Sequence, residues 1–113
     1  MSERGDVLQF RARIGFGAKG ESERAVVVQA THLNAALPTV LVVPLDVVAD
    51  PYLARDLLVP VSAREAGASK NHVAIPTHAR FVRSDAFAAG RVGRLSAATL
   101  AKLDERLRLV LDL

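Results

Sequence analysis

Cysteine is absent from the chain. That excludes a disulfide framework, a cysteine-ligated zinc and a thiol nucleophile, and it fits a reducing cytoplasm. Tryptophan is also absent and aromatics make up only 4% of residues, which argues against a platform that stacks bases on rings. Long apolar runs are missing as well. The longest, Val40 to Ala49, is interrupted by Pro44 and Asp46, and it is far short of the ~20 residues that cross a bilayer. The opening Met1-Ser2-Glu3-Arg4-Gly5-Asp6 mixes charges of both signs and leads into no apolar segment of the kind a secretory leader needs. A soluble cytoplasmic protein with no membrane partner is expected. There is no Gly-x-Ser-x-Gly, so serine-hydrolase chemistry has no support. His32, His72 and His78 lack metal-ligand spacing, and neither a metal nor a cofactor is expected.

What is present points to one globular domain spanning residues 1–113. The length suits one domain and excludes two-lobed or eight-fold architectures. Hydrophobic residues at 50% and charged residues at 24% belong to a folded chain. Fifteen Lys and Arg against twelve Asp and Glu give a net charge of +3, a mild bias toward polyanions.

From Val7 to Ile14 apolar and polar residues alternate, the period of a half-buried strand. Arg24 to Gln29 and Thr39 to Leu45 are nearly continuous β-branched runs, as in strands covered on both faces, and Pro44 predicts a bulge or an edge in the second. Shorter strands fit Leu57 to Val61, His72 to Ile75 and Ala79 to Val82. Five or six short strands with turns between them suggest a small barrel. After Ser96, a suitable N-cap, the period changes: Leu100, Leu103, Leu107, Val110 and Leu111 make one stripe of an amphipathic helix, with Leu95 placed to staple onto Leu100.

Gly15-Phe16-Gly17-Ala18-Lys19-Gly20 matches a dinucleotide fingerprint literally, but a β-branched strand follows where a helix N-terminus should receive the pyrophosphate. A loop beside a site is the better reading. His78-Ala79-Arg80, read as a strand, puts an imidazole and a guanidinium on one face, a pair suited to phosphodiester chemistry but equally to a solvated strand face. Arg11, Arg13, Lys19 and Arg24 precede a second basic group, Arg80 and Arg83. Converging, these would track a phosphate backbone; dispersed, they are ordinary surface charge.

These motifs occur in an order that resembles the MazF/PemK toxins nearly end to end. Arg4-Gly5-Asp6-Val7 is followed by a glycine-rich loop and by Arg24 opening Val26-Val27-Val28-Gln29. Thr39-Val40-Leu41-Val42-Val43-Pro44-Leu45 comes next, and Val92-Gly93-Arg94-Leu95 leads the closing helix. The resemblance implies an α+β fold, a small SH3-like β-barrel of the CcdB/PemK type with a C-terminal amphipathic helix. It implies a homodimeric, metal-independent endoribonuclease that cuts single-stranded RNA and is neutralised by a cognate, MazE-like antitoxin. Arg24 matches the family's catalytic arginine, although Ala25 rather than proline follows it. Asp46 stands after Pro44-Leu45 where a threonine or serine is usual, and in the loop Gly17-Ala18-Lys19-Gly20 only the glycine of the RNA-contacting pattern remains. In the late strand Thr77-His78-Ala79-Arg80 keeps the base and lacks the acid.

Arg24, Asp46 and His78 are therefore the candidate catalytic residues, and Arg11, Gly17, Lys19, Thr77 and Arg80 the candidate RNA contacts. A guanidinium suits a phosphorane, while Asp46 or His78 would move protons; Asp46 as a simple turn residue is the competing reading. A chain with these departures fits two other readings: a non-catalytic toxin of the same fold that binds DNA gyrase, or an inactive barrel that binds RNA or antitoxin.

Overall fold

Why the two β-branched runs are apolar throughout is clear from the sheet they build. A computed structural model describes residues 2–12, 23–47, 57–88 and 90–113. Among them β2 (Arg24–Val27) and β3 (Thr39–Asp46) occupy the middle of one antiparallel sheet, between two apolar clusters. Val26, Val43 and Leu45 face one cluster, and Ala25, Val27, Val40 and Val42 face the other. Burial on both sides removes the need for a polar face.

β1 (Asp6–Gln9) flanks β2, and the two-residue β7 (Gly93–Arg94) flanks β1. On the other side β3 pairs with β5 (His72–Ala74), which pairs with β4 (Val59–Val61); β6 (Arg80–Arg83) also pairs with β3. The order is β4-β5-β3-β2-β1-β7, seven strands with β6 as the branch. The expectation of five or six strands missed β7, whose two residues carry no periodicity and pair only through β1.

Pro44 lies inside β3 at the step where one neighbour replaces another. Pairing to β6 ends at Val42 with Arg80, and pairing to β5 begins at Leu45 with Ala74. A residue without an N–H fits this changeover, and its carbonyl accepts from the Ile75 N–H (3.1 Å). The expected bulge or edge is thus a branch point of the sheet.

Three α-helices among the described residues complete the fold: α1 (Thr31–Ala36), α2 (Ala63–Ala66) and α3 (Ala97–Leu111). Ser96 caps α3 as expected, its hydroxyl accepting from the Thr99 N–H (3.2 Å). Leu103 is fully buried in the helix-side cluster, where Leu95, Leu100 and Leu107 also pack. Burying such a leucine contributes about 2 kcal/mol. The last turn departs from the expected stripe: Leu111 is 60% exposed, and Val110 faces solvent too. α1 and α2 are too short to show a helical period, so neither was legible as a helix. No helix among the described residues is long and apolar enough to cross a membrane.

Candidate active site

Arg24 opens β2 opposite Leu45 and Gln9, so alternation sends its side chain toward the helix side of the sheet, with Val26. It is 8% exposed, rare for an arginine unless polar groups hold it. Nη2 donates to the Gly67 carbonyl (3.2 Å), just past α2. Asp46 ends β3 one residue beyond Leu45, half-buried and opposite Val73. Both residues stand at the same end of the β2–β3 pair, but alternation turns Asp46 to the face away from Leu45 and Arg24.

His78 is not on a strand. It closes a 3₁₀ turn, Pro76–His78, whose exposed Thr77 and His78 precede β6. The expected shared strand face with Arg80 is therefore corrected: Pro76 fixes the backbone for a turn, and only Arg80 belongs to β6. The turn still comes near Pro44, through the Ile75 N–H. Arg80 is exposed opposite Val42.

Arg11 lies elsewhere. Its Nε donates to the Asp85 carbonyl (3.0 Å), beside the exposed Arg83–Asp85 ion pair (3.1 Å). The Arg83 guanidinium beside Asp85 holds that carboxyl below its usual range. A cavity of about 570 Å³ is lined by Arg11, Asp6, Leu8, Phe87 and Arg91, and it includes none of Arg24, Asp46 or His78. Gly17 and Lys19 lie outside the described residues. Of the early basic group, Arg11 thus meets Arg83 of the later group around Asp85, while Arg24 turns inward; Arg13, like Lys19, lies outside the described residues.

The holder of Arg24 was not singled out from the sequence. Gly67 is the C-cap of α2 in the left-handed region (φ 64°), and a Cβ there would lie 1.9 Å from the Val92 carbonyl oxygen. At Gly93 a Cβ would meet the Glu65 carbonyl oxygen at 2.1 Å. The backbones of α2 and β7 are in contact at both points, which only glycine permits. Glu65 completes a capping box with Ser62: the Ser62 N–H donates to Oε1 (3.1 Å), and the Glu65 N–H donates to the Ser62 hydroxyl (3.1 Å). Its Oε2 also accepts from the Ser96 N–H (2.9 Å), so one carboxylate caps α2 and α3 together. Burial pushes this carboxyl up, but the bonds from Ser96, Thr99 and Ser62 outweigh that and hold it below its ordinary value. Ser62-Ala63-Arg64-Glu65 followed by Gly67 is a legible capping signature, and it is the signal that could have found this element.

A curled antiparallel sheet closed by a C-terminal helix is a β half-barrel. The chain belongs to the family of PemK-like, MazF-like toxins of type II toxin-antitoxin systems, whose model matches residues 3–111. Among solved structures it resembles the Mycobacterium tuberculosis toxin MazF-mt6, at 16% identity and a TM-score of 0.75, covering 96% of this chain and 97% of that one. An endoribonuclease in complex with its cognate antitoxin, from a mycobacterial species, is similar at 17% identity and a TM-score of 0.76, covering 100% and 97%. MazF from Deinococcus radiodurans follows at 18% identity and a TM-score of 0.76, covering 99% and 97%. At such identities the likeness speaks for the fold. No curated protein matches the chain by sequence.

Proposed function

We propose that this toxin is an endoribonuclease that cuts single-stranded RNA through attack by the ribose 2′-hydroxyl, without a metal or cofactor. The observation that carries the reading is Arg24, held at the head of β2, with Asp46 at the same end of the sheet but on the opposite face. In such a reaction the 2′-oxygen bonds to phosphorus and the P–O5′ bond breaks, leaving a 2′,3′-cyclic phosphate and a 5′-hydroxyl. One proton leaves the 2′-hydroxyl and one reaches O5′. Arg24 meets the negative charge that builds on the phosphorane oxygens, since a guanidinium stays charged and offers a planar fork of donors. Asp46 or His78 moves the protons. Thr77 and Arg80, exposed beside the His78 turn, contact the RNA, as do Arg11, Gly17 and Lys19.

The solved complex of a similar endoribonuclease with its cognate antitoxin supports an antitoxin as regulator, and the family resemblance supports a cytoplasmic homodimer. The departure at Asp46 favours one rival, a toxin of the same fold that acts by binding, with DNA gyrase as its target.

The test is to incubate the wild type and Arg24→Ala with a long single-stranded RNA in a chelator, then map cut positions and end chemistry. Cuts at a short sequence with cyclic-phosphate ends, lost in Arg24→Ala, establish the reading. No cuts from the folded, antitoxin-free protein overturn it in favour of the binding toxin. Asp46→Asn, if folded and fully active, removes Asp46 from the chemistry.

A further inference from the structure

Arg24 depends for its position on an element far from it in sequence. Its Nη2 bonds to a carbonyl 43 residues away, at Gly67. That carbonyl is not on a floppy loop: the Gly67 N–H donates to the carbonyls of Ala63 and Arg64, and the backbone is wedged against Val92. What fixes α2 itself is Glu65, two residues before Gly67. Its carboxylate takes the N–H groups of Ser62 and Ser96, joining the start of α2 to the start of α3. α3 in turn is anchored in the helix-side cluster by Leu103. The chain of contacts runs from α3 through Ser96, Glu65 and Gly67 to the Arg24 guanidinium.

We propose that Glu65 is a positioning residue for Arg24: by capping α2 and α3 together it sets the Gly67 carbonyl that aims the guanidinium. The inference rests on the reading of Arg24 as the phosphate-binding arginine. A four-residue helix has little stability of its own, so removing the shared cap lets α2 shift. A shift of about 1 Å at a reacting group costs up to a hundredfold in rate.

The experiment compares Glu65→Ala, Glu65→Gln and Arg24→Lys by two readouts. In cleavage of a single-stranded transcript several hundred nucleotides long, Glu65→Ala lowers kcat about tenfold or more with KM little changed. Glu65→Gln keeps an acceptor for only one of the Ser62 and Ser96 N–H groups and recovers only part of the loss. In an Arg24→Lys background, Glu65→Ala costs much less, because the two changes act through one group. The second readout needs no activity: ¹⁵N spectra of the arginine side chains, with Arg24 assigned by its loss in Arg24→Lys. Slow guanidinium rotation in the wild type becomes fast in Glu65→Ala while the backbone spectrum stays folded. Unchanged Arg24 signals in Glu65→Ala overturn the inference, and so does a kcat loss that is fully additive with Arg24→Lys. If Arg24→Ala cleaves like the wild type, the reading of Arg24 as the phosphate-binding arginine fails, and the spectra still decide whether Glu65 positions Arg24. Should Glu65→Ala not fold, Glu65→Asp reads the same two signals, since it keeps the charge and shortens the reach.

Discussion

Arginines at two places in this molecule are held by different chemistry. Near the N-terminus, Arg4 pairs with Asp104, while Arg91 and Arg94 both donate to Oδ1 of the buried Asp6, at 3.2 and 2.6 Å. At the head of β2, Arg24 donates to the Gly67 carbonyl. A carboxylate cancels the charge it holds, whereas a carbonyl adds direction without a countercharge of its own. The first arrangement ties chain ends to the sheet: Asp6 joins β1 to the segment before α3, and Arg4 reaches α3 across 100 residues. The second aims a cation. The contrast teaches that exposure alone does not separate structural from functional arginines here.

The largest expected effect attacks the orienting side. Gly67→Ala brings a Cβ to 1.9 Å from the Val92 carbonyl oxygen at a positive φ. It destabilises by about 3 kcal/mol or more, read by denaturant unfolding. A variant as stable as the wild type would show that α2 and β7 are not wedged together.

Arg24→Ala comes next on activity. RNA cleavage falls about 10²- to 10³-fold, the scale of losing one donor aimed at a transition-state charge. By contrast Asp6→Asn leaves cleavage at 25 °C unchanged and lowers stability by about 1–2 kcal/mol, because Arg91 and Arg94 are partly solvated. If Asp6→Asn abolishes cleavage in a folded protein, the division between the two sets of arginines collapses.

Acid sharpens the same comparison more gently. At Asp6 burial pushes the carboxyl up, but the Glu3 N–H and the Arg91 and Arg94 guanidiniums outweigh it, so it titrates below its ordinary value, as Glu65 does. A carboxylate lowered in the fold contributes stability above its unfolded pKa and loses it as pH falls through the folded value. Unfolding midpoints should therefore be flat above about pH 5 and fall below about pH 4, with a shallower fall in Asp6→Asn and Glu65→Gln. The smallest effect belongs to Asp85→Asn. Its partner Arg83 lies on the surface, and the midpoint should stay within error of the wild type.

Much of the frame was readable because periodicity reports burial directly. The runs over β2 and β3 and the leucine spacing of α3 each mirror the surface they cover, whereas β1, read as half-buried, is covered on both faces, with Val7 in one cluster and Leu8 in the other. The stripe misled only at Val110 and Leu111, where the helix outruns the cluster beneath it. Reading His78 with Arg80 failed for a local reason, since Pro76 starts a turn before the strand begins. Arg24 and Asp46 were singled out through the family resemblance, and they stand at the head of β2 and the end of β3.

The holder of Arg24 was less so. Ser62-x-x-Glu65 followed by a glycine announces a capped turn, but nothing in that stretch says which guanidinium its carbonyl meets or that Glu65 also caps α3. Those facts join residues 43 and 31 positions apart, and they exist only once the sheet has curled and α2 has come against β7. Sequence alone determined the strands other than β7, the closing helix and its Ser96 cap, because each announces itself in a pattern a few residues long. Tertiary structure alone decided the acceptor of each arginine, because a hydrogen bond forms only between groups that the folded chain brings within about 3 Å.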